Sequence, residues 1–327
     1  MKSKEVNNVS LFLNSDTARI AVPTLIKPVS NGLLTYDAGK HQVTKLNNEG
    51  HHVFSFGSKG RGPGEFQSVG GFWKFDNSFL VYDINGKKLS SYDLRGNHIK
   101  DNPLNFVEFP GGPVGIEAIS PQKFIMPAAG KQGKLLRLID IQSEQVQYFG
   151  KAVSEEYVPT QSSEDVRRAI LAGNIPAMYK NKVMLGSNKT GIFSFQQATA
   201  VLEKYSHSGE LLWSKNLKVP AIDGLFEQIL AENKERIDQD EFLLSFSYSA
   251  GLSTNEKGAA ILLNVSNDQP TTVVWVPNDG HKITVVRFMD VMESSELGLN
   301  FSVGYHGNDV FFVNFQRGKI YKAEWPI

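Results

Sequence analysis

Residues 33–53 have the sequence LLTYDAGKHQVTKLNNEGHHV, and residues 79–99 have the sequence FLVYDINGKKLSSYDLRGNHI. The two stretches align without a gap, and Asp37 falls on Asp83 in this alignment. Each copy has an apolar strand that ends at Asp, a turn that contains Gly, a second alternating strand and a second Gly turn. The repeat therefore predicts consecutive antiparallel hairpins.

The period of this repeat indicates the architecture. Similar strands and Gly turns continue to DVFFVNFQRGKIYKAEW at 309–325, in six units of roughly 50 residues, and repeats of this length are typical of β-propellers. The last unit lacks one strand, while an early strand, at Val9–Leu13 or Ala18–Val22, has no unit of its own. We therefore expect an all-β, six-bladed β-propeller of four-stranded antiparallel blades. It would form a single domain over 1–327, closed by the N-terminal strand.

Two segments depart from the β pattern. Residues 163–173 begin with an N-cap at Ser163 and acidic residues, and they end at a Gly. Residues 222–236 place apolar residues on one face at helical spacing. Both are predicted to be short helical insertions that flank the fourth blade and cover the same rim.

Composition excludes several function classes. The chain has 34 basic and 34 acidic residues, and this balance argues against a nucleic-acid partner, since phosphate binding depends on clustered cations. It contains no cysteine, which excludes disulfides, thiolate metal sites and cysteine nucleophiles. No apolar run is long enough for a transmembrane segment, and the first ten residues, MKSKEVNNVS, contain no leader-like apolar region.

A glycine-rich motif, GSKGRGPGEF at 57–66, follows the first copy of the repeat. With its flanking strands it resembles the NHL-like, or TolB-like, six-bladed propellers of bacterial exported and lipoprotein-type proteins. The match is close over residues 30–100 and only architectural elsewhere. The resemblance implies a binding or scaffold protein of the periplasm or cell surface, whose leader and possible lipidated cysteine are absent from this chain.

The loop residues have structural interpretations as well. Glycines permit positive φ and close approach of neighbouring blades, Pro63 stiffens the connection, and Phe66 is expected to insert between blades as a wedge. Arg61 and Glu65 would either pair across the loop or contact a ligand.

We predict a binding site on the face that carries the inter-blade loops, near 57–66, 157–179 and 222–236. Its ligand would be a protein, a peptide or a glycan. No catalytic or metal-ligating residue is assigned. The candidate binding residues are Arg61, Glu65, Tyr157, Arg167, Arg168, Tyr179 and Phe226.

The alternative is a metal-assisted, calcium-dependent hydrolase or lactonase that uses the central channel, with Asp37 and Asp83 as conceivable ligands. Their equivalent positions in two blades favour a turn role instead, because a catalytic centre is not copied into every blade. The chain has no G-x-S-x-G sequence, and the glycine-rich loop lacks the Lys-Ser/Thr of a phosphate-binding loop. The leading hypothesis is a non-catalytic propeller that binds a ligand or a protein or serves as a scaffold, with unknown specificity and without a cofactor; calcium enters only in the alternative.

Overall fold

The chain forms six β-sheets arranged as the blades of a propeller. The computed structural model describes residues 2–14, 19–107, 115–154, 162–217, 219–263, 270–289, 301–304 and 309–327. Within these ranges five sheets contain four consecutive antiparallel strands, one of them with a fifth strand added, and the sixth contains three consecutive strands and one strand from the amino terminus. The predicted six-bladed fold is confirmed.

The strands follow the repeat along the chain. Two strands precede the first blade, β1 (Lys2–Val6) and β2 (Val9–Asn14). Blade 1 comprises β3 (Pro23–Val29), β4 (Gly32–Asp37), β5 (Gln42–Leu46) and β6 (His52–Phe56). Blade 2 comprises β7 (Val69–Lys74), β8 (Phe79–Asp83), β9 (Lys88–Tyr92) and β10 (His98–Pro103). Blade 3 comprises β11 (Glu117–Ala118), β12 (Lys123–Pro127), β13 (Lys134–Asp140) and β14 (Gln145–Lys151).

The second half of the chain repeats this order. Blade 4 comprises β15 (Val183–Asn188), β16 (Gly191–Gln196), β17 (Val201–Tyr205) and β18 (Leu211–Asn216). Blade 5 comprises β19 (Ser249–Asn255), β20 (Gly258–Leu263), β21 (Thr271–Pro277) and β22 (Thr284–Phe288). Blade 6 begins with β23 (Phe301–Val303), β24 (Asp309–Asn314) and β25 (Lys319–Glu324).

The N-terminal strand completes blade 6. Strand β2 pairs antiparallel with β25, with Val9 opposite Ala323 and Leu11 opposite Tyr321. The first of the two predicted closing segments, Val9–Leu13, is therefore the one that closes the ring. Strand β1 was not predicted: it adds to blade 5 as a fifth strand, parallel to β22.

Helices flank blade 4, as predicted. Helix α1 (Ser163–Leu171) and the short α2 (Ala177–Lys180) precede this blade, and α3 (Pro220–Asp238) follows it. The N-cap of α1 is Ser162, where the sequence suggested Ser163, because Ser162 forms a reciprocal capping box with Asp165.

The two longer helices cover one rim of blade 4. Val166 and Ile170 of α1 share an apolar cluster with Leu230 of α3. Ala198, in the turn between β16 and β17, lies in the same cluster. The predicted common rim is therefore confirmed by their packing.

Aromatic wedges fill the space between blades 1 and 2. The Phe66 side chain is fully buried among residues of both blades, including Phe56 of β6 and Phe72 of β7. Gly57 has φ of +82°, and a Cβ there would lie 2.0 Å from the Phe66 ring. The predicted wedge is confirmed, and Gly57 provides the space for it.

The repeated aspartates have a structural role. Asp37 accepts hydrogen bonds from the turn amides of Gly39 and Lys40, and also from Ala21 and Val22. In blade 2, Asp83 accepts equivalent bonds from Gln67 and Ser68 at 3.0 and 2.9 Å. Each carboxylate thus ties the end of its strand to the segment that enters the same blade, a wider role than the predicted turn bond.

Candidate functional site

The first strand of each blade lines the central axis. Neighbouring first strands contact one another, for example β15 with β19 and β19 with β23. A narrow channel of about 170 Å³ runs between them. It joins a wider cavity of about 720 Å³ at the carboxyl ends of these strands, which we call the channel mouth. A cavity of this size falls in the range of small-molecule sites.

Glu117 is the central polar residue where the channel meets its mouth. It lies on β11, and its side chain is only 13% exposed. Trp73 of β7 donates its indole Nε1–H to Glu117 Oε2 at 3.1 Å, and Ser187 of β15 donates its hydroxyl to Oε1 at 2.9 Å. A carboxylate from blade 3 therefore connects blades 2, 3 and 4.

Lys27 of β3 provides a cation beside this carboxylate. Its Nζ lies 3.6 Å from Glu117 Oε1 and 5.4 Å from the centre of the Trp73 ring. The distance to Glu117 is that of an ion pair and exceeds that of a hydrogen bond. The Lys27 side chain is 37% exposed, so the ammonium faces the cavity.

Blade 5 completes the inner ring of polar groups. The Thr254 hydroxyl of β19 donates to the Ser187 carbonyl at 2.6 Å. Five side chains from five different blades thus line the channel mouth: Lys27, Trp73, Glu117, Ser187 and Thr254. Their common placement follows from one geometric fact: every blade places its first strand at the axis.

The rim of the channel mouth is held by side chains of blades 4 and 5. Asn188 donates to the Asn255 carbonyl at 2.7 Å and to Asn278 Oδ1 at 2.9 Å. Lys189 pairs with Glu256 at 3.0 Å. These contacts fix the two turns that border the opening.

A buried lysine lies behind this rim. Lys204 Nζ donates to the Thr190 hydroxyl at 2.8 Å and to the Asn278 carbonyl at 3.0 Å. Burial lowers the pKa of Lys204, and nearby Asp279 opposes that shift. Its hydrogen bonds make Lys204 a support of the rim.

The loop that contains Arg61 and Glu65 leads into the amino end of β7, at the opposite face from the channel mouth. Glu65 Oε2 accepts a hydrogen bond from the Gly62 amide at 2.8 Å, which holds the loop itself. Arg61 is exposed. We predicted that Arg61 and Glu65 would either pair with each other across the loop or contact a ligand. In the structure Glu65 does form a bond within the loop, but its partner is the backbone amide of Gly62.

The other predicted binding residues lie near the helices. Arg167 pairs with Asp240 at 2.5 Å, and Arg168 pairs with Glu164 and Asp165 on its own helix. Tyr179 is buried against Phe246, and Phe226 packs on the same ring.

Their packing gives Tyr179 and Phe226 a structural role, whereas Arg167 and Arg168 are at the surface. Tyr157 lies outside the described residues. A binding role for this set stays a prediction.

The residues of the channel mouth were not predicted. Lys27 and Glu117 offered only a weak signal, since each is a single charge beside apolar neighbours (LIKPV and GIEAI). The close repeat covers β4–β6 and β8–β10 but not the first strands, which line the axis. A search for charged residues in the strand before each repeat copy would have found Lys27.

A metal site would need several ligating side chains close together. Within the described ranges, no group of three or more His, Cys, Asp or Glu side chains is placed to hold a metal ion. The calcium-dependent alternative stays a prediction. None of the described helices has the length and apolar character that crossing a membrane requires.

Comparison with known proteins identifies the fold. A model of the DUF5128 family, described as 6-bladed beta-propeller, matches residues 13–111. No curated protein matches the sequence significantly.

Solved structures extend this similarity to the whole ring. A Bacteroides fragilis NCTC 9343 protein described as exported aligns with a TM-score of 0.57 and 14% identity, over 98% of each chain. A DUF4221 member from Bacteroides vulgatus gives 0.54 and 11%, over 98% of this chain and 96% of the other. A streptogramin B lyase gives 0.54 and 10%, over 96% of each. At these identities the similarity establishes a six-bladed propeller fold, which enzymes and other proteins share.

Proposed function

We propose that this protein is a non-catalytic binding propeller whose small polar ligand occupies the channel mouth. The observation that carries the proposal is the cavity of about 720 Å³ lined by polar side chains from blades 1 to 5. Rigid strands position these groups, and such placement reduces the entropy lost on binding. The channel mouth replaces the loop face as our preferred site because it is concave and its polar residues converge.

We also propose that the protein is exported and belongs to the NHL-like or TolB-like propellers. Three observations support this view: the absence of cysteine, the GSKGRGPGEF motif, and the similarity to a Bacteroides protein described as exported. Fractionation of cells that express the gene from its own start codon would test it. Recovery only in the cytoplasm would contradict export.

Thermal unfolding with a panel of small molecules tests the binding proposal. The panel contains neutral sugars, amino acids, dipeptides and dicarboxylates, each at about 10 mM. A ligand that binds only the native state stabilises it in proportion to ln(1 + [L]/Kd), so binding raises the melting temperature.

A blocking variant localises any effect. Ser187→Tyr fills the channel mouth, whereas Ser143→Tyr places the same ring in an exposed turn of blade 3. We expect stabilising compounds to lose their effect in Ser187→Tyr and keep it in Ser143→Tyr. Equal stabilisation of both variants would place the site elsewhere and overturn the proposal.

A further inference from the structure

The hydrogen-bonding capacity of the channel mouth points to a ligand class. We infer that the site binds small molecules through a carboxylate or phosphate group, and that Lys27 holds this group. The inference rests on the proposed binding function of the same cavity. It adds the charge of the ligand and names the residue that selects it.

The polar groups around Lys27 are occupied by one another. The Trp73 indole N–H is used by Glu117, and the Ser187 hydroxyl is directed at both Glu117 Oε1 and the Ala118 carbonyl. The Thr254 hydroxyl is used by the Ser187 carbonyl. These donors fix the shape of the site and have little capacity left for a ligand.

Lys27 is the exception. In the part of the chain that the structure describes, no oxygen accepts a hydrogen bond from its Nζ, and Glu117 lies 3.6 Å away. An ammonium group carries three N–H donors. Lys27 therefore presents a positive charge with free donors to the cavity, and the Trp73 ring supports it from one side.

The charged side chains that line the cavity include equal numbers of lysines and acidic residues. Among the described lining residues, Lys27, Lys74 and Lys189 are basic, whereas Asp76, Glu117 and Glu256 are acidic. Lys189 is paired with Glu256 on the rim. Glu117 is the acid nearest to Lys27, and its charge is stabilised by Trp73 and Ser187, so that Lys27 is not its only partner.

This arrangement gives two residues opposite effects on an anion. Lys27 attracts it and donates hydrogen bonds. Glu117 repels it while holding the indole and the lysine in place. A cationic ligand would experience the reverse, and a neutral ligand would be nearly insensitive to the Glu117 charge. Substitution of Lys27 and, separately, of Glu117 therefore reveals the charge of the ligand.

The experiment uses succinate and inorganic phosphate as probes, with 1,4-diaminobutane as a cation similar in length to succinate. The readout is the indole N–H resonance of Trp73 in a ¹H–¹⁵N spectrum, assigned by Trp73→Phe among the four tryptophans of the chain. We expect succinate or phosphate to shift this resonance saturably, and 1,4-diaminobutane to leave it in place.

Two variants and a matched control complete the test. Lys27→Met should weaken the anion at least about tenfold, the loss of one hydrogen bond to a charged group. Glu117→Gln should strengthen it several-fold. Lys322→Met is the control, because Lys322 also lies over an aromatic ring (Phe311, 5.8 Å) beside a carboxylate, at 31% exposure, but on blade 6 away from the mouth.

The outcomes separate the two proposals. If neither anion shifts Trp73 while neutral compounds of the panel do, the charge assignment is overturned and the binding site stands. If no compound shifts Trp73, both fail. A larger response to 1,4-diaminobutane, or an anion response that survives Lys27→Met, also overturns the inference. Response to phosphate alone or to succinate alone supports it and identifies the acid.

Discussion

At the scale of single residues, the glycine-rich loop at 57–66 packs against blade 2 through the shape of its side chains and through hydrogen bonds. Gly57 lacks a side chain where the Phe66 ring inserts, and Tyr92 donates its hydroxyl to the Gly64 carbonyl at 2.8 Å. Buried Lys88 donates to the Gly62 carbonyl and to Asp101 Oδ2, both at 2.9 Å. Blade 2 thus holds the glycine-rich loop in two ways: it packs against the Phe66 ring of the loop, and its Tyr92 and Lys88 side chains bond to the loop's backbone carbonyls.

Gly57→Ala should destabilise the protein by about 3 kcal/mol, of which about 1 reflects the positive φ and the rest displacement of Phe66. The matched control is Gly173→Ala, because Gly173 has φ of +76° but no heavy atom within 4 Å of the point that an added methyl group would occupy. Urea denaturation of the two variants measures the difference. Equal losses would show that the ring moves aside at no cost.

The pKa of Asp101 predicts that part of the protein's folding stability is lost in acid. Burial by itself raises the pKa of Asp101, but hydrogen bonds from Lys88 and His98 outweigh it and hold the pKa below its usual range. A lowered pKa in the folded state stabilises the protein above the unfolded value of about 4, and this stability is lost as the pH falls through the folded pKa.

Asp101→Asn should therefore cost about 2 kcal/mol at pH 7, since it leaves buried Lys88 without its anion. The variant should also lose less stability than the wild type between pH 5 and 2 (roughly the range expected for a lowered carboxyl pKa). Urea denaturation at several pH values measures both effects, with exposed Asp76→Asn as the control. Parallel pH profiles for wild type and Asp101→Asn would contradict the assignment.

At the scale of elements, the N-terminal strands do two different things. Leu13 of β2 is buried in a cluster that joins blade 6 to blade 1 through Phe311 and Leu33. The side chains of β1 are mostly exposed, and it is held by backbone pairing to β22. Closure of the ring therefore depends on β2.

Deletion of residues 2–14 should lower the melting temperature by about 10 °C and promote aggregation, because it uncovers the edge of β25 and removes buried Leu13. Deletion of residues 2–6 alone should change it by no more than about 2 °C. Differential scanning calorimetry and light scattering distinguish the two. Equal destabilisation by both deletions would assign closure to β1 as well.

Elements with a sequence pattern were predicted well. The offset repeat located the hairpins of blades 1 and 2, capping and terminating residues located α1, and helical spacing located α3. Strand β1 and helix α2 were missed for physical reasons. The sequence KSKEV has no buried face to produce an alternation, and four residues are too few for a helical period.

At the scale of the whole molecule, Glu117 connects side chains from blades that are far apart in sequence. Trp73 is 44 residues before it and Ser187 is 70 residues after it. Lys27 adds blade 1 to the same group. The polar centre therefore exists only when these four blades are packed around the axis.

Glu117→Leu should destabilise the protein by about 2 kcal/mol, because it leaves the Trp73 N–H and the Lys27 ammonium without their partner. Glu117→Gln keeps an acceptor and should cost about half as much. Glu256→Gln, on an exposed turn of the rim, is the control and should be nearly neutral. Chemical denaturation measures all three, and a neutral Glu117→Leu would show that the network does not stabilise the ring.

The amino-acid sequence was sufficient to predict the all-β class, the blade repeat, closure by an N-terminal strand and the helical insertions beside blade 4, whereas the structure chose Val9–Leu13 over Ala18–Val22 as the closing segment. These follow from local periodicity, turn residues and a repeat unit that cannot bury its faces alone. The position of a ligand site, in contrast, became visible only in the folded ring. Lys27 and Trp73 are separated by the 46-residue offset of the repeat, but Glu117, Ser187 and Thr254 follow at unequal intervals along the chain. These residues meet because six first strands surround one axis, so the polar pocket is a product of the tertiary structure.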